Sequence, residues 1–415
     1  MKKYKKSKLA NGLEAVTYEN LHSQNVFFSV VVRAGSRYEK DDERGYAHLL
    51  EHMILRGTKN RPTAFDVSIV VDRAGALLNA FTSVEAVRVS IQCSRSSKKE
   101  MFDLMSDIIR NPLFDAVTLE NEKKVVIQEL RRGQTEASRK LWLNSIPKIF
   151  SNHPIAHQDI GDEASIMSAT PEKLRKYYNS FFTSNNIGVF GVGAITHQEI
   201  LELAENIGKV GNRGLGIKKL ANPVIKNGVF FTPLSNYKQT LLNVIFSRKK
   251  ILLKESLAVD IIANFLSYGH TSLLYQELRH KAGLIYSLNI YKSQYQDAFI
   301  FYITTITSNP KQVIKILFKI LFSLKEYLSK RVFLSAKKQY ANFLMRSLDG
   351  DERILESLIR YWITYGELVH IELLLKILKE LTYGDIVKVI NSLITKRNLS
   401  VGILSDKDPG IALPS

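Results

Sequence analysis

Apolar residues along this chain recur with two different periods, and the periods take turns. Residues 27–33 and 86–93 are β-branched or alternate apolar with polar, which predicts strands. Residues 46–56, 65–74, 98–110, 118–132 and 171–182 repeat apolar positions at three- and four-residue spacing, which predicts helices. A polar turn then leads into a strand at 187–192. Strands separated by several helices, with a last strand returning, predict an α+β arrangement with a largely antiparallel sheet.

The pattern then repeats. Thr170 precedes a helix, and Asn179, Thr183 and Asn186 mark the turn into 187–192; Thr382, Asn391, Thr395 and Asn398 do the same before a strand at 399–404. Each pair is 212 residues apart, as are Gly57 and Gly269. A shared offset at several points predicts a duplicated domain of about 200 residues. The expected fold is therefore α+β, with two homologous halves, each a mainly antiparallel sheet packed with helices. The expected division is 1–207 and 223–415. A Gly-, Lys- and Asn-rich linker at 208–222 joins them, and it lacks the strand-before, helix-after context of a phosphate loop.

Composition narrows the class. Hydrophobic content of 45% over 415 residues suffices for two cores. The single cysteine, Cys93, excludes an intramolecular disulfide framework. The net charge of +18 permits contact with polyanions. Its lysines, however, are scattered between apolar residues, as at 313–319, and read as a solvated basic face. Neither a helix-turn-helix nor interleaved aromatic and basic residues occur, so no nucleic-acid partner is expected. The basic N-terminus lacks the apolar stretch of a secretory signal. Residues 313–324 come nearest to a membrane span and are broken by Lys315 and Lys319. A soluble, cytoplasmic protein with no membrane partner is expected.

The stretch His48-Leu49-Leu50-Glu51-His52 carries the chemistry. At about 100° per residue, histidines four apart lie within about 40° of each other, and Glu51 flanks them. Two imidazoles and a carboxylate on one turn suit a zinc ion, its bound water and a base, the inverted H-x-x-E-H pattern of certain metallopeptidases. Subtracting the offset places Asp260, Ala263 and Asn264 opposite these three residues, so the second copy keeps the helix without the chemistry. A zinc hydrolase needs a third protein ligand. Leu119, Val126 and Leu130 define the apolar stripe of helix 118–132, with Glu122 and Glu129 together on its shoulder. Periodicity alone leaves open whether these carboxylates meet a cation or only line a charged surface.

Several motifs together resemble the pitrilysin/insulinase zinc peptidases, in particular the short-chain branch similar to mitochondrial processing peptidase. They are Asn11-Gly12-Leu13, Ala34-Gly35-Ser36-Arg37, the run from Gly45 through His48 and His52 to Met53, Gly57-Thr58, Asn79-Ala80-Phe81-Thr82, His153-Pro154, Gly161, Tyr177-Tyr178 and Asn185-Asn186. The resemblance covers nearly the whole chain. It implies one zinc per chain, with the third ligand 77 residues after the second histidine, at Glu129. It also implies that Glu51 is the general base and that Glu122 orients a ligand. The strand carrying Asn79, Ala80 and Phe81 would pair with substrate backbone. Arg279 and Tyr286, in a segment like the family's Arg…Tyr segment, would hold substrate and stabilise the transition state. The run Ser267-Tyr268-Gly269-His270 departs from the glycine-richer turn of relatives.

The implied activity is zinc-dependent endopeptidase cleavage of peptides or short unfolded polypeptides inside a closed chamber. Such a chamber needs four halves and hence a dimer. A homodimer is expected because this chain carries both the zinc box and the Arg/Tyr pair, with a heterodimer with a related subunit as the alternative. The rival reading is a non-catalytic structural or assembly subunit of the same fold.

Overall fold

The computed structural model describes residues 4–151, 153–210 and 221–414. The expected linker at 208–222 falls largely outside the described residues. The chain forms two compact units, described separately here. Unit 1 comprises residues 1–132, 157–220 and 348–370, and unit 2 comprises 133–156, 221–347 and 371–415.

Unit 1 contains a six-stranded sheet built from β1 (Tyr4–Lys8), β2 (Glu14–Glu19), β3 (Asn25–Val32), β4 (Leu77–Thr82), β5 (Val87–Ser94) and β6 (Ile187–Gly193). The order is β1-β2-β6-β3-β5-β4. Only the β2–β6 pair is parallel. Every residue of β6 is buried, as a central strand covered on both faces requires. Helices α1 (Tyr46–Ile54), α2 (Ala64–Arg73), α3 (Lys98–Arg110) and α4 (Ala116–Thr135) belong to this unit for all or most of their length. Their apolar stripes, including Leu49, Leu50, Met53, Leu104, Ile108 and Val126, share one core with Phe28, Val30 and Val89 of the sheet. Helix α1 stops two residues before the expected end, short of Gly57. There φ is 151°, and a Cβ would lie 2.4 Å from the Pro62 carbonyl oxygen.

Unit 2 repeats the plan. Its strands are β7 (Val229–Pro233), β8 (Thr240–Lys249), β9 (Leu288–Gln294), β10 (Ala298–Thr307) and β11 (Leu399–Ser405), in the order β7-β11-β8-β10-β9. Only β7–β11 is parallel. This is the β2-β6-β3-β5-β4 order of unit 1, strand for strand. The 212-residue offset extends to hydrogen bonds. Asn186 donates its side-chain amide to the Phe181 carbonyl and Asn398 to that of Leu393, both at 2.9 Å. The basic excess belongs to unit 2, which has 27 Lys and Arg against 11 Asp and Glu, whereas unit 1 has 31 against 29.

The packed units are not the contiguous stretches 1–207 and 223–415. The helix Asp351–Tyr365, encoded in the second half, lies on the unit 1 sheet face opposite α1 to α4. There Leu355, Leu358, Ile359 and Trp362 bury Val16, Val31, Phe190 and Val192. The Trp362 ring meets Phe190 edge-on at 5.5 Å and carries the Arg33 guanidinium at 4.0 Å. Conversely α5 (Ala137–Ile149), encoded in the first half, packs on the unit 2 sheet. Its Leu141 clusters with Leu241 and Leu404. It comes so close that a Cβ on Gly402 would sit 2.8 Å from the Ser145 hydroxyl. The exchange was not legible beforehand, because periodicity shows which face of a helix is apolar but not which sheet it covers.

Two predictions follow from this packing. Trp362→Ala removes the largest side chain at the exchanged contact and should lower stability by about 3–5 kcal/mol, read as a lower urea midpoint. The second concerns Asp385, in the capping box with Thr382 at the start of helix Tyr383–Leu393. The Lys254 ammonium at 2.8 Å and the Thr382 donors hold its carboxyl down at about 2. A depressed folded-state value stabilises above the unfolded one, near pH 4, and that contribution disappears as the pH falls toward 2. Asp385→Asn should therefore cost about 1 kcal/mol at neutral pH. The gap from wild type should narrow as unfolding is followed down to pH 2.

Candidate metal centre

The site is built on α1, which begins at Gly45. That residue has φ 95°, and a Cβ there would meet the Ile160 carbonyl oxygen at 2.8 Å, so glycine is required. On this helix Tyr46, Ala47, Leu49, Leu50, Met53 and Ile54 are buried. The opposite face carries His48, Glu51 and His52. The two imidazole rings lie 4.8 Å apart and nearly perpendicular.

Helix α4 brings Glu122 and Glu129 to the same place. Leu119, Val126 and Leu130 anchor it in the core, so the carboxylates two turns apart both face α1. Glu129 Oε2 lies 3.1 Å from His48 Nε2 and 3.7 Å from His52 Nε2. Glu122 meets the other nitrogen of His52, Nδ1, at 2.8 Å, and its second oxygen accepts from Arg56 Nε at 2.7 Å. Glu120 points elsewhere and pairs with Lys123. Glu51 Oε2 lies 3.3 Å from His48 Nδ1.

The electrostatics follow from these contacts. Burial alone would lower the pKa of His48, but the Glu51 and Glu129 carboxylates outweigh it and hold the value above the usual one. Burial would likewise raise Glu51. Hydrogen bonds from His48 and Thr82, with the charges of both imidazoles, hold it below the usual carboxylate range. Glu51 is thus held in its ionised form.

The donor set fits zinc. Ligand atoms of His48, His52 and Glu129 all lie within 4.8 Å of one another. Donors about 2.1 Å from a tetrahedral zinc are about 3.4 Å apart, close to the Glu129–imidazole distances. Glu122 holds His52 Nδ1 and so leaves Nε2 for a metal, the arrangement a ligating histidine needs.

The other expected residues are also placed. Asn79, Ala80 and Phe81 lie on β4, which ends the sheet order and pairs with β5 alone among the described strands. Phe81 is 56% exposed. In unit 2, Arg279 and Tyr286 come together. The Arg279 guanidinium donates to the Tyr286 carbonyl at 2.7 Å and to the Tyr275 hydroxyl at 2.5 Å, and it lies over both rings. It sits in a π-helical segment, Tyr275–Lys281, and Tyr286 is 81% exposed. Within the departing run at 267–270 the chain turns through Gly269 at φ 80°.

The counterpart of the metal box in unit 2 is closed by an ion pair. Asp260, equivalent to His48, accepts from Lys292 at 2.6 Å and from the Tyr340 hydroxyl at 2.9 Å. Leu334 and Ala341 stand where α4 has Glu122 and Glu129. An internal ammonium supplies the positive charge, and no imidazole remains to bind a metal.

Sequence reasoning missed Glu39. This side chain is 5% exposed, and its carboxyl accepts from the Gly45 and Ala47 backbone N–H groups. Burial pushes it up to about 8 against the pull of those donors. Nothing in the charged run Glu39-Lys40-Asp41-Asp42-Glu43-Arg44 distinguishes it from its solvated neighbours.

A duplicated α+β fold places two histidines and a glutamate on one helix and a carboxylate from a second beside them, a donor set that could hold one metal ion. Residues 15–160 match the model for insulinase (peptidase family M16), and residues 168–340 match that for the peptidase M16 inactive domain. The chain belongs to peptidase family M16. An uncharacterized zinc protease from Rickettsia felis is 24% identical over 392 residues, 93% of this chain and 94% of its own. A mitochondrial-processing peptidase subunit beta from Blastocladiella emersonii is 24% identical over 409 residues, 95% of this chain and 87% of its own. A crystal structure described as the peptidase M16 inactive domain from Pseudomonas fluorescens superposes with a TM-score of 0.87 at 18% identity, covering 98% of both chains. Among the described residues no helix is long and apolar enough to cross a membrane.

The geometry separates two roles that metal titration can read. His52→Ala removes a donor and should abolish stoichiometric zinc uptake. Glu122→Gln should retain zinc but bind it about ten-fold more weakly, measured by competition with a chelating dye. Equal affinity for the Gln variant and wild type would refute the orienting role.

Proposed function

We propose that this chain is a zinc-dependent endopeptidase acting on peptides or short unfolded polypeptides. The observation that carries the reading is the meeting of His48, His52 and Glu129 with an ionised Glu51 alongside. Zinc bound there would lower the pKa of a water and polarise the scissile carbonyl. Glu51 would accept the water's proton and pass it to the leaving amine. The free edge of β4 offers backbone N–H and C=O groups to an extended substrate, with Phe81 beside it as an apolar contact. Arg279 and Tyr286 are assigned to the developing negative charge on the carbonyl oxygen.

We further assign the active form to a dimer in which Arg279 and Tyr286 of one chain serve the zinc of the other, with four halves enclosing the substrate. The resemblance to processing peptidases supports this assembly, and the presence of both sets in one chain favours a homodimer.

Glu51→Gln should keep its zinc and lose about 10²- to 10⁴-fold in kcat against a peptide library. Zinc-loaded wild type that cleaves nothing in that library would overturn the peptidase reading. Mixing the inactive Glu51→Gln and Arg279→Ala chains should restore part of the activity, because a mixed dimer contains one intact site. Mixed dimers without recovery would sink the assignment in trans.

A further inference from the structure

The geometry points to Glu39 as a positioning residue for the metal site: a side-chain cap that fixes the first turn of α1 from nine residues before His48. The inference rests on the metal-centre reading above. A helix leaves its first N–H groups without internal partners. A Ser, Thr, Asp or Asn at the N-cap ordinarily accepts from one of them. Helix α1 cannot use that device, because its N-cap must be glycine: φ is 95°, and the space a Cβ would need is taken by the Ile160 carbonyl, Gly161 and Ile166.

Glu39 supplies the missing acceptors from outside the helix. One carboxylate oxygen takes the Ala47 N–H at 2.8 Å, and the other takes the Gly45 N–H at 3.0 Å. Ala47 immediately precedes His48. Holding its amide sets where the helix begins and the direction in which His48 points. Glu51 and His52 follow on the same nine-residue helix, so a shift in the first turn moves all three.

Two other buried carboxylates of unit 1 serve differently. Glu85 pairs with Arg37 at 2.5 Å, and Asp107 is held by Thr58, Asn60, Arg61 and Asn111. Those partners are side chains. The partners of Glu39 are backbone amides at the start of the helix that holds the metal ligands.

The test is zinc titration of metal-free protein by chelator competition, with kcat and KM measured at saturating zinc. Glu39→Gln keeps the shape and one acceptor oxygen but turns an amide NH₂ toward the other N–H. It should bind zinc about ten-fold more weakly and show a lower kcat with KM unchanged. Glu85→Gln, which also removes a buried carboxylate, should lose stability and keep its zinc affinity. Wild-type affinity and kcat in Glu39→Gln would overturn the proposal, as would an equal loss of affinity in Glu85→Gln. If Glu39→Gln does not fold, Glu39→Asp retains the carboxyl group and is one methylene too short to reach both amides. Weaker zinc binding in folded Glu39→Asp supports the role, and wild-type affinity there overturns it. Wild-type protein that takes up no zinc would overturn the metal reading itself, a result distinct from any difference between variants.

Discussion

Two imidazoles and two carboxylates crowded between α1 and α4 are tolerable only if positive charge is shared among them. Glu129 stands 3.1 and 3.7 Å from the two ring nitrogens, and Glu122 stands 2.8 Å from a third. Arg56 pairs with Glu122 at 2.7 Å, so with neutral imidazoles the uncompensated negative charge beside the rings is that of Glu51 and the half-exposed Glu129. Protonating the histidines relieves this, and so does a divalent ion. The raised pKa of His48 is the proton-bound version of the same balance. The apolar stripes of α1 and α4 and the tight turn at Gly45 hold the four groups in place, so the core maintains a local electrostatic demand that a metal ion satisfies.

Unit 2 meets the same demand by other means. At the position of His48 it has Asp260, and the cation it requires is the Lys292 ammonium at 2.6 Å. Lys292 lies on β9, the counterpart of β4, so the edge strand of one copy supplies covalently what the other copy leaves to a soluble ion. By the 212-residue offset Leu334 and Ala341 correspond to the two glutamates, so this copy presents neither carboxylate. Duplication thus produced two scaffolds with one topology. Among the described residues, only the first scaffold has a His-His-Glu cluster that could hold a metal ion.

Much of this was legible in the sequence because it depends on local periodicity. The strands around Phe28, Val89 and Val189, and the helix carrying His48 and His52, announce themselves by spacing. The 212-residue repeat survives in hydrogen bonds as specific as those of Asn186 and Asn398. The pairing of Glu122 with Glu129 was also legible from spacing, whereas their division of labour came from the family resemblance alone. Spacing puts both on one face, and only the placement of α1 shows that one faces a gap between two rings while the other grips the back of His52. Glu39 was hidden for a related reason. A buried carboxylate within a charged loop looks like its exposed neighbours until the backbone amides it caps are located.

The exchanged helices escaped sequence reasoning for a different reason, and they bear on how the site is kept rigid. The unit 1 sheet is covered on one face by α1 to α4 and on the other by Asp351–Tyr365. Helix α1 packs on β4 and β5 at one end of the sheet order, and the neighbouring central strands β3 and β6 are covered on both faces, where close packing leaves little compressibility. The helix that seals the second face is encoded more than 200 residues after the first strand. The half that carries His48 and His52 therefore cannot complete its own core without sequence from the copy that lacks them. This gives the second copy a structural reason to persist that is independent of Arg279 and Tyr286.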